Sequence, residues 1–105
     1  MLGDSFFVSE REQIASLAMS LRLPTIFSVR EHVEAGGLIS YGVDVAVNHA
    51  RAAYYVDKVL RGAKAGDLPI EFPTKLALTI NLKTAKALGL DVPWFLQQRA
   101  DEVIE

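Results

Sequence analysis

The sequence predicts an α/β fold: a three-layer sandwich on a mostly parallel sheet of short strands. Three observations predict it. Short apolar segments alternate with stretches of helical period. Glycine and proline separate them at regular intervals. The apolar segments are short and rich in strand formers, as in parallel sheets covered by helices on both faces. The 105 residues, half of them hydrophobic, suffice for one such domain with a real core and leave little room for a second.

Each element has a local reason. Ser9-Glu10-Arg11-Glu12 reads as a capping box. Ile14, Leu17, Ala18 and Leu21 follow at helical spacing, which predicts a helix from about 10 to 22 with that stripe in the core. Leu23 to Phe27 reads as a buried strand opened by Pro24. Ser28 and Glu31 repeat the capping pattern, so a short helix should run through His32 to Ala35 and end at Gly36-Gly37. Leu38 to Tyr41 reads as a second strand, with Gly42 turning the backbone after it. Asp44 can cap a long helix from about 45 to 61. Val45, His49, Ala52, Val56 and Val59 form its apolar stripe, and Gly62 is its C-cap. Lys75 to Ile80 alternates as a half-buried strand does. Asn81 can cap a helix over Leu82 to Leu88, closed by Gly89. Pro93 fits the start of a last helix carrying Trp94, Leu96, Ala100 and Val103.

Composition excludes several chemistries. Eleven basic and thirteen acidic residues give a formal charge of −2, which argues against a nucleic-acid partner. With no cysteine there can be no disulfide, thiolate metal site or cysteine nucleophile. No apolar run approaches the roughly 18 residues of a membrane span. The opening Met1-Leu2-Gly3-Asp4 has neither the basic start nor the apolar stretch of a secretory leader.

Catalytic signals are thin, and no enzyme is predicted. Gly36-Gly37 lacks phosphate-binding spacing, and no nucleophile elbow or phosphate loop occurs. Glu31, His32 and Glu34 read as a solvated helix face rather than metal ligands, since only i, i+3 and i, i+4 partners share a face. His49, on an apolar stripe, reads as a hydrogen-bonded interior histidine. No cofactor or metal is implied. Two spots are better candidates, because ligands in open α/β sheets bind beyond the carboxyl ends of strands. One is Asp4-Ser5-Phe6-Phe7, just before the first helix. The other is Ser40-Tyr41-Gly42, before the long helix. Both offer hydroxyls near a helix start, a setting that welcomes anions, and Phe6 and Tyr41 could form apolar walls.

Longer motifs add a resemblance. Leu23-Pro24-Thr25-Ile26-Phe27, Arg30-Glu31 with Val33 to Gly42, Tyr55 to Lys64 with Asp67-Leu68-Pro69, Pro73-Thr74-Lys75, Ile80 to Leu90 and Arg99 to Glu105 resemble the substrate-binding proteins of one family of ABC transporters. The likeness covers nearly the whole chain from Asp4 on. It implies a type I, two-lobed periplasmic binding protein fold, whose lobes close over a small molecule such as an amino acid, aromatic ones included. It implies delivery to an ABC permease without catalysis, at a periplasmic or cell-surface location. By the same likeness, Asp4 and Ser5 occupy a ligand-facing loop, and Ser28 and Tyr41-Gly42 line the cleft.

The likeness is to the C-terminal portion of such a protein only. The helix after Asp44 is then expected to present an orphaned apolar stripe, and the sheet to have unpaired edges. Those surfaces call for a partner, most simply a second copy, giving a homodimer through the exposed helix or a sheet edge, by exchange of an element or by docking. Two readings result: a solute-binding module, and a self-associating interaction domain that no longer binds ligand.

Overall fold

Asp4, not Ser9, starts the first helical turn. Its Oδ1 accepts from the Phe6 amide at 2.8 Å and caps α1, Ser5–Ser9. Ser9 instead donates its hydroxyl to the Phe6 carbonyl inside that helix. The chain kinks at Glu10 and continues as α2, Arg11–Ser20. The expected capping box at Ser9 is therefore not formed, because an aspartate one turn earlier has already claimed the helix start. These details come from a computed structural model that describes Met1 and residues 3–105; Leu2, in the opening read for a leader, lies outside the described residues.

Six more elements complete the helices and sheet as far as β3 and α5. They are β1, Ile26–Phe27; α3, Arg30–Glu34; β2, Ile39–Val43; α4, Val45–Leu60; β3, Leu76–Asn81; and α5, Leu82–Ala87. Two more follow: α6, Trp94–Arg99, and β4, Glu102–Ile104. The strands form one mixed sheet in the order β1-β2-β3-β4. β1 and β2 are parallel, as are β3 and β4, so the sheet is mostly parallel as expected. The middle pair, β2 and β3, is antiparallel. The reason is topological: the chain leaves β2 at Val43 and re-enters at Leu76, its direct cross-strand partner.

Several caps follow the sequence closely. Asp44 Oδ1 accepts from the Ala46 and Val47 amides, and Asn81 Oδ1 accepts from Thr84. Gly36, Gly62 and Gly89 close their helices at positive φ. Other expectations give way. α3 starts after Val29 with no side-chain cap, so Ser28 does not serve as one. Gly42 does not turn the chain; it sits inside β2, paired with Ala77. The last helix stops at Arg99. Val103 lies instead in β4, where β-branched residues suit the pleat and the free edge of β3 supplies hydrogen-bond partners. Asp101 fixes that edge, its Oδ2 accepting from the Leu78 amide and its own amide donating to the Leu78 carbonyl.

The core is small and lies between the sheet and α2, α3 and α5. Ala15, Phe27, Val33, Leu38, Ile80 and Ala85 are buried. On α2, Ala15 is the buried residue, whereas Leu17 and Leu21 of the expected stripe are exposed. The histidines exchange their expected roles. His32 is fully buried and stacks on Phe27, ring centroids 4.6 Å apart, while His49 is exposed, with its Nδ1 2.9 Å from the Val45 carbonyl of the preceding turn. The cause lies outside each helix: α3 packs on the sheet, whereas α4 buries none of its residues.

His32 makes a pH prediction. Its Nε2 donates to the Phe7 carbonyl at 3.1 Å, and its buried Nδ1 has no partner. Burial holds its pKa below the usual histidine value, the hydrogen bond to Phe7 and the charge of Glu31 offsetting only part of this. The neutral ring is thus the folded form. Stability from this site is fully present above about pH 6.5, and it falls as acid protonates the unfolded chain first. Thermal unfolding between pH 7.5 and 5 is expected to show a falling midpoint, and His32→Gln should flatten that fall. An equal fall in the variant would show that other groups cause it.

Candidate functional site

The sequence-predicted positions divide along the pleat. Side chains alternate across a strand, so Ser40 and Gly42 share one face of β2 and Tyr41 takes the other. Ser40 is buried opposite Thr79, whereas Tyr41 is exposed beside Leu78. The structure therefore does not bring Tyr41 together with Ser40 and Gly42.

Ser28 is the meeting point. It follows β1, and its carbonyl passes so close to Gly42 that a Cβ there would lie 2.0 Å from the oxygen. On the other side its hydroxyl approaches Gly3, where a Cβ would lie 2.8 Å from Oγ. Two glycines thus let three segments converge: the Gly3-Asp4 turn, the end of β1 and the end of β2. Met1 extends this arrangement, its ammonium group donating to the Ile26 carbonyl in β1. Ser28, Arg30, Ser40, Gly42, Asp44 and Thr79 line one shallow recess at these carboxyl ends.

The charges there are specific. Asp4 and Asp44 each spend one carboxylate oxygen on a helix start and keep the other. Arg30, which also lines the recess, is ion-paired with Glu34 at 2.6 Å and Glu102 at 2.8 Å. Because Asp4 itself caps α1, that helix start presents a carboxylate beside its first amides. Ser5 and Phe6 stand exposed on α1, with Phe6 edge-on to Phe7 at 6.0 Å.

Sequence reasoning missed a second feature. A groove of about 470 Å³ runs between α4 and the returning segment 71–75. Arg51 makes a bidentate pair with Glu71, both bonds 2.9 Å, and lies 4.4 Å over the Tyr54 ring. The Arg51 hydrogen bonds hold the Glu71 carboxyl below the usual carboxylate range. Tyr55 donates to the Pro69 carbonyl. The i, i+3, i+4 spacing of Arg51, Tyr54 and Tyr55 is readable in sequence, but the distant Glu71 is not. Among the described residues no cluster of three potential metal ligands occurs, and no helix is long and apolar enough to cross a membrane.

Comparison with known proteins identifies the family and the fold. The family described as ABC transporter substrate binding protein matches residues 1–104. A conserved domain protein from Vibrio cholerae is similar over 95% of this chain, with 27% identity and a TM-score of 0.87. An ABC domain from Streptococcus pneumoniae, solved in complex with L-Trp, is similar over 93%, with 30% identity and a TM-score of 0.83. A substrate-binding protein with adhesive properties from Clostridium difficile, in its ligand-free open form, shares the fold at 22% identity and a TM-score of 0.62. The chain covers 34% of each of these three structures, about a third of their length. No curated protein matches it.

Proposed function

This chain belongs to the ABC transporter substrate-binding protein family, and from that premise we propose that it contributes one wall of a cleft for a small solute carrying an ammonium group, an amino acid being the best fit. The observation that carries this reading is the convergence on Ser28 of the Asp4 turn and the end of β2. There the Asp44 carboxylate, which lines the recess with Ser28, would receive the ammonium group, while on the adjoining turn Asp4 and Ser5 would add polar groups and Phe6 would flank an apolar side chain. The L-Trp held by the S. pneumoniae relative supports an amino-acid ligand. Within a whole protein of this family, a second lobe would supply the opposite wall and an ABC permease would receive the solute at the outer face of the membrane. The role is binding, not catalysis.

A single wall covers too little of a ligand to hold it tightly, since small-molecule sites bury most of the ligand surface. Millimolar affinity is therefore expected of the chain alone, about −4 kcal/mol. Amide NMR titration with L-tryptophan and other amino acids should shift Asp4 to Phe6, Ser28 and Gly42 to Asp44, and Asp4→Asn should weaken the response. Unmoved spectra at saturating amino acid, or shifts confined to the α4 groove, would overturn the assignment.

A further inference from the structure

A free α-amino acid carries a carboxylate beside its ammonium group, and the cleft wall offers a partner for each. Among the described residues lining the recess at the strand ends, Arg30 is the one cation and Asp44 the one anion. The two are not spent on each other: Arg30 pairs with Glu34 and Glu102, and Asp44 caps α4. Beside the recess lies a hollow of about 170 Å³, which shares Arg30, Asp44 and Thr79 and adds Lys75, Asp101 and Glu102.

The register explains why these groups meet. It sets Ser40, Thr79 and Glu102 side by side on β2, β3 and β4, so their side chains share one face of the sheet. Ser40 and Thr79 are buried there, and Arg30 reaches across to Glu102. The hydrogen bond and both ion pairs of Arg30 fall on one nitrogen, Nη2. A guanidinium has five N–H donors in a planar fork. The Nε and Nη1 donors stay available to a carboxylate, which such a fork binds through two parallel bonds.

Charge decides what this wall selects. Without Arg30, the recess and hollow hold Asp44, Asp101 and Glu102 against Lys75 alone, a setting that repels a carboxylate. We propose that Arg30 is the specificity-determining residue of the wall. Its guanidinium receives the solute's carboxylate while Asp44 receives the ammonium group, so the site takes α-amino acids in preference to amines that lack the acid. The role of Arg30 rests on the ammonium reading above and adds the second group that the solute must carry.

Amide NMR titration of the 105-residue chain with L-tryptophan, and with tryptamine, which lacks only the carboxylate, tests it. L-Tryptophan should bind about tenfold more tightly than tryptamine, the low end for charge-assisted bonds in an open site. Arg30→Gln should cut that ratio to about one or below while tryptamine still binds. Exposed ion pairs such as those of Arg30 contribute little to stability, so the variant should keep a dispersed spectrum. If it unfolds, the ratio measured on the unaltered chain still decides. Lys75→Gln, in the adjoining hollow, should keep the preference. Equal binding of the two compounds by the unaltered chain overturns the role of Arg30 and leaves the ammonium reading standing. So does a preference that survives Arg30→Gln, or one lost with Lys75→Gln instead. Shifts from neither compound overturn the ammonium reading itself, and the role of Arg30 with it.

Discussion

Gly42→Ala is expected to destabilise the protein by about 3 kcal/mol or more, beyond the usual range for adding a methyl to a packed core. The added Cβ would lie 2.0 Å from the Ser28 carbonyl oxygen and 3.0 Å from its carbon. Both are backbone atoms, so no rotamer change relieves the clash, and the end of β1 must separate from β2. Since domains are stable by only about 5–15 kcal/mol, urea denaturation should show a clear fall in midpoint. Gly66→Ala is the matched control, because a Cβ there meets nothing within 4 Å. Any solute binding should fail together with the fold, since Ser28 also meets the Gly3-Asp4 turn through its side chain. A Gly42→Ala protein as stable as the parent would refute the close packing of these segments.

Phe27→Ala is the second large effect, expected at about 3–5 kcal/mol. The ring is buried at 2% exposure, stacks on His32 at an interplanar angle of 10°, and fills the space left by Gly37. Removing it leaves a cavity under α3 and lets water reach the His32 ring. Two measurements check this. The denaturation midpoint should fall, and the pKa of His32 by NMR should rise toward the ordinary value, because burial is the largest cause of its depression. A stable variant with an unmoved histidine would show that the ring is not what shields it.

How much was legible in the sequence depended on how local the determining interaction was. Asp44, Asn81 and the closing glycines at 36, 62 and 89 act within one helical turn, and sequence reasoning places them correctly. The α/β class and mostly parallel sheet followed from short strand-forming runs between helices. Three things needed distant information. The antiparallel meeting of β2 and β3 depends on where α4 returns, which no window of residues contains. β4 exists because β3 offers an edge to Val103 and Ile104. The fates of His32 and His49 depend on which helix finds the sheet. Within the candidate site, Ser28 and Gly42 were singled out by the family resemblance as cleft-lining residues. Their observed part is to bring the Asp4 turn and the strand ends together, while the alternation that turns Tyr41 away was present in the sequence as simple period-two arithmetic.

The antiparallel pairing of Val43 with Leu76 has an architectural consequence. Everything between them, the long helix and its return, is an excursion whose two feet stand side by side on neighbouring strands. The sheet would keep its register if that excursion were lengthened, exchanged or pruned to a tight hairpin. Such an appendage can therefore change without redrawing the platform beneath it, and whatever meets the appendage can be altered separately from whatever rests on the platform.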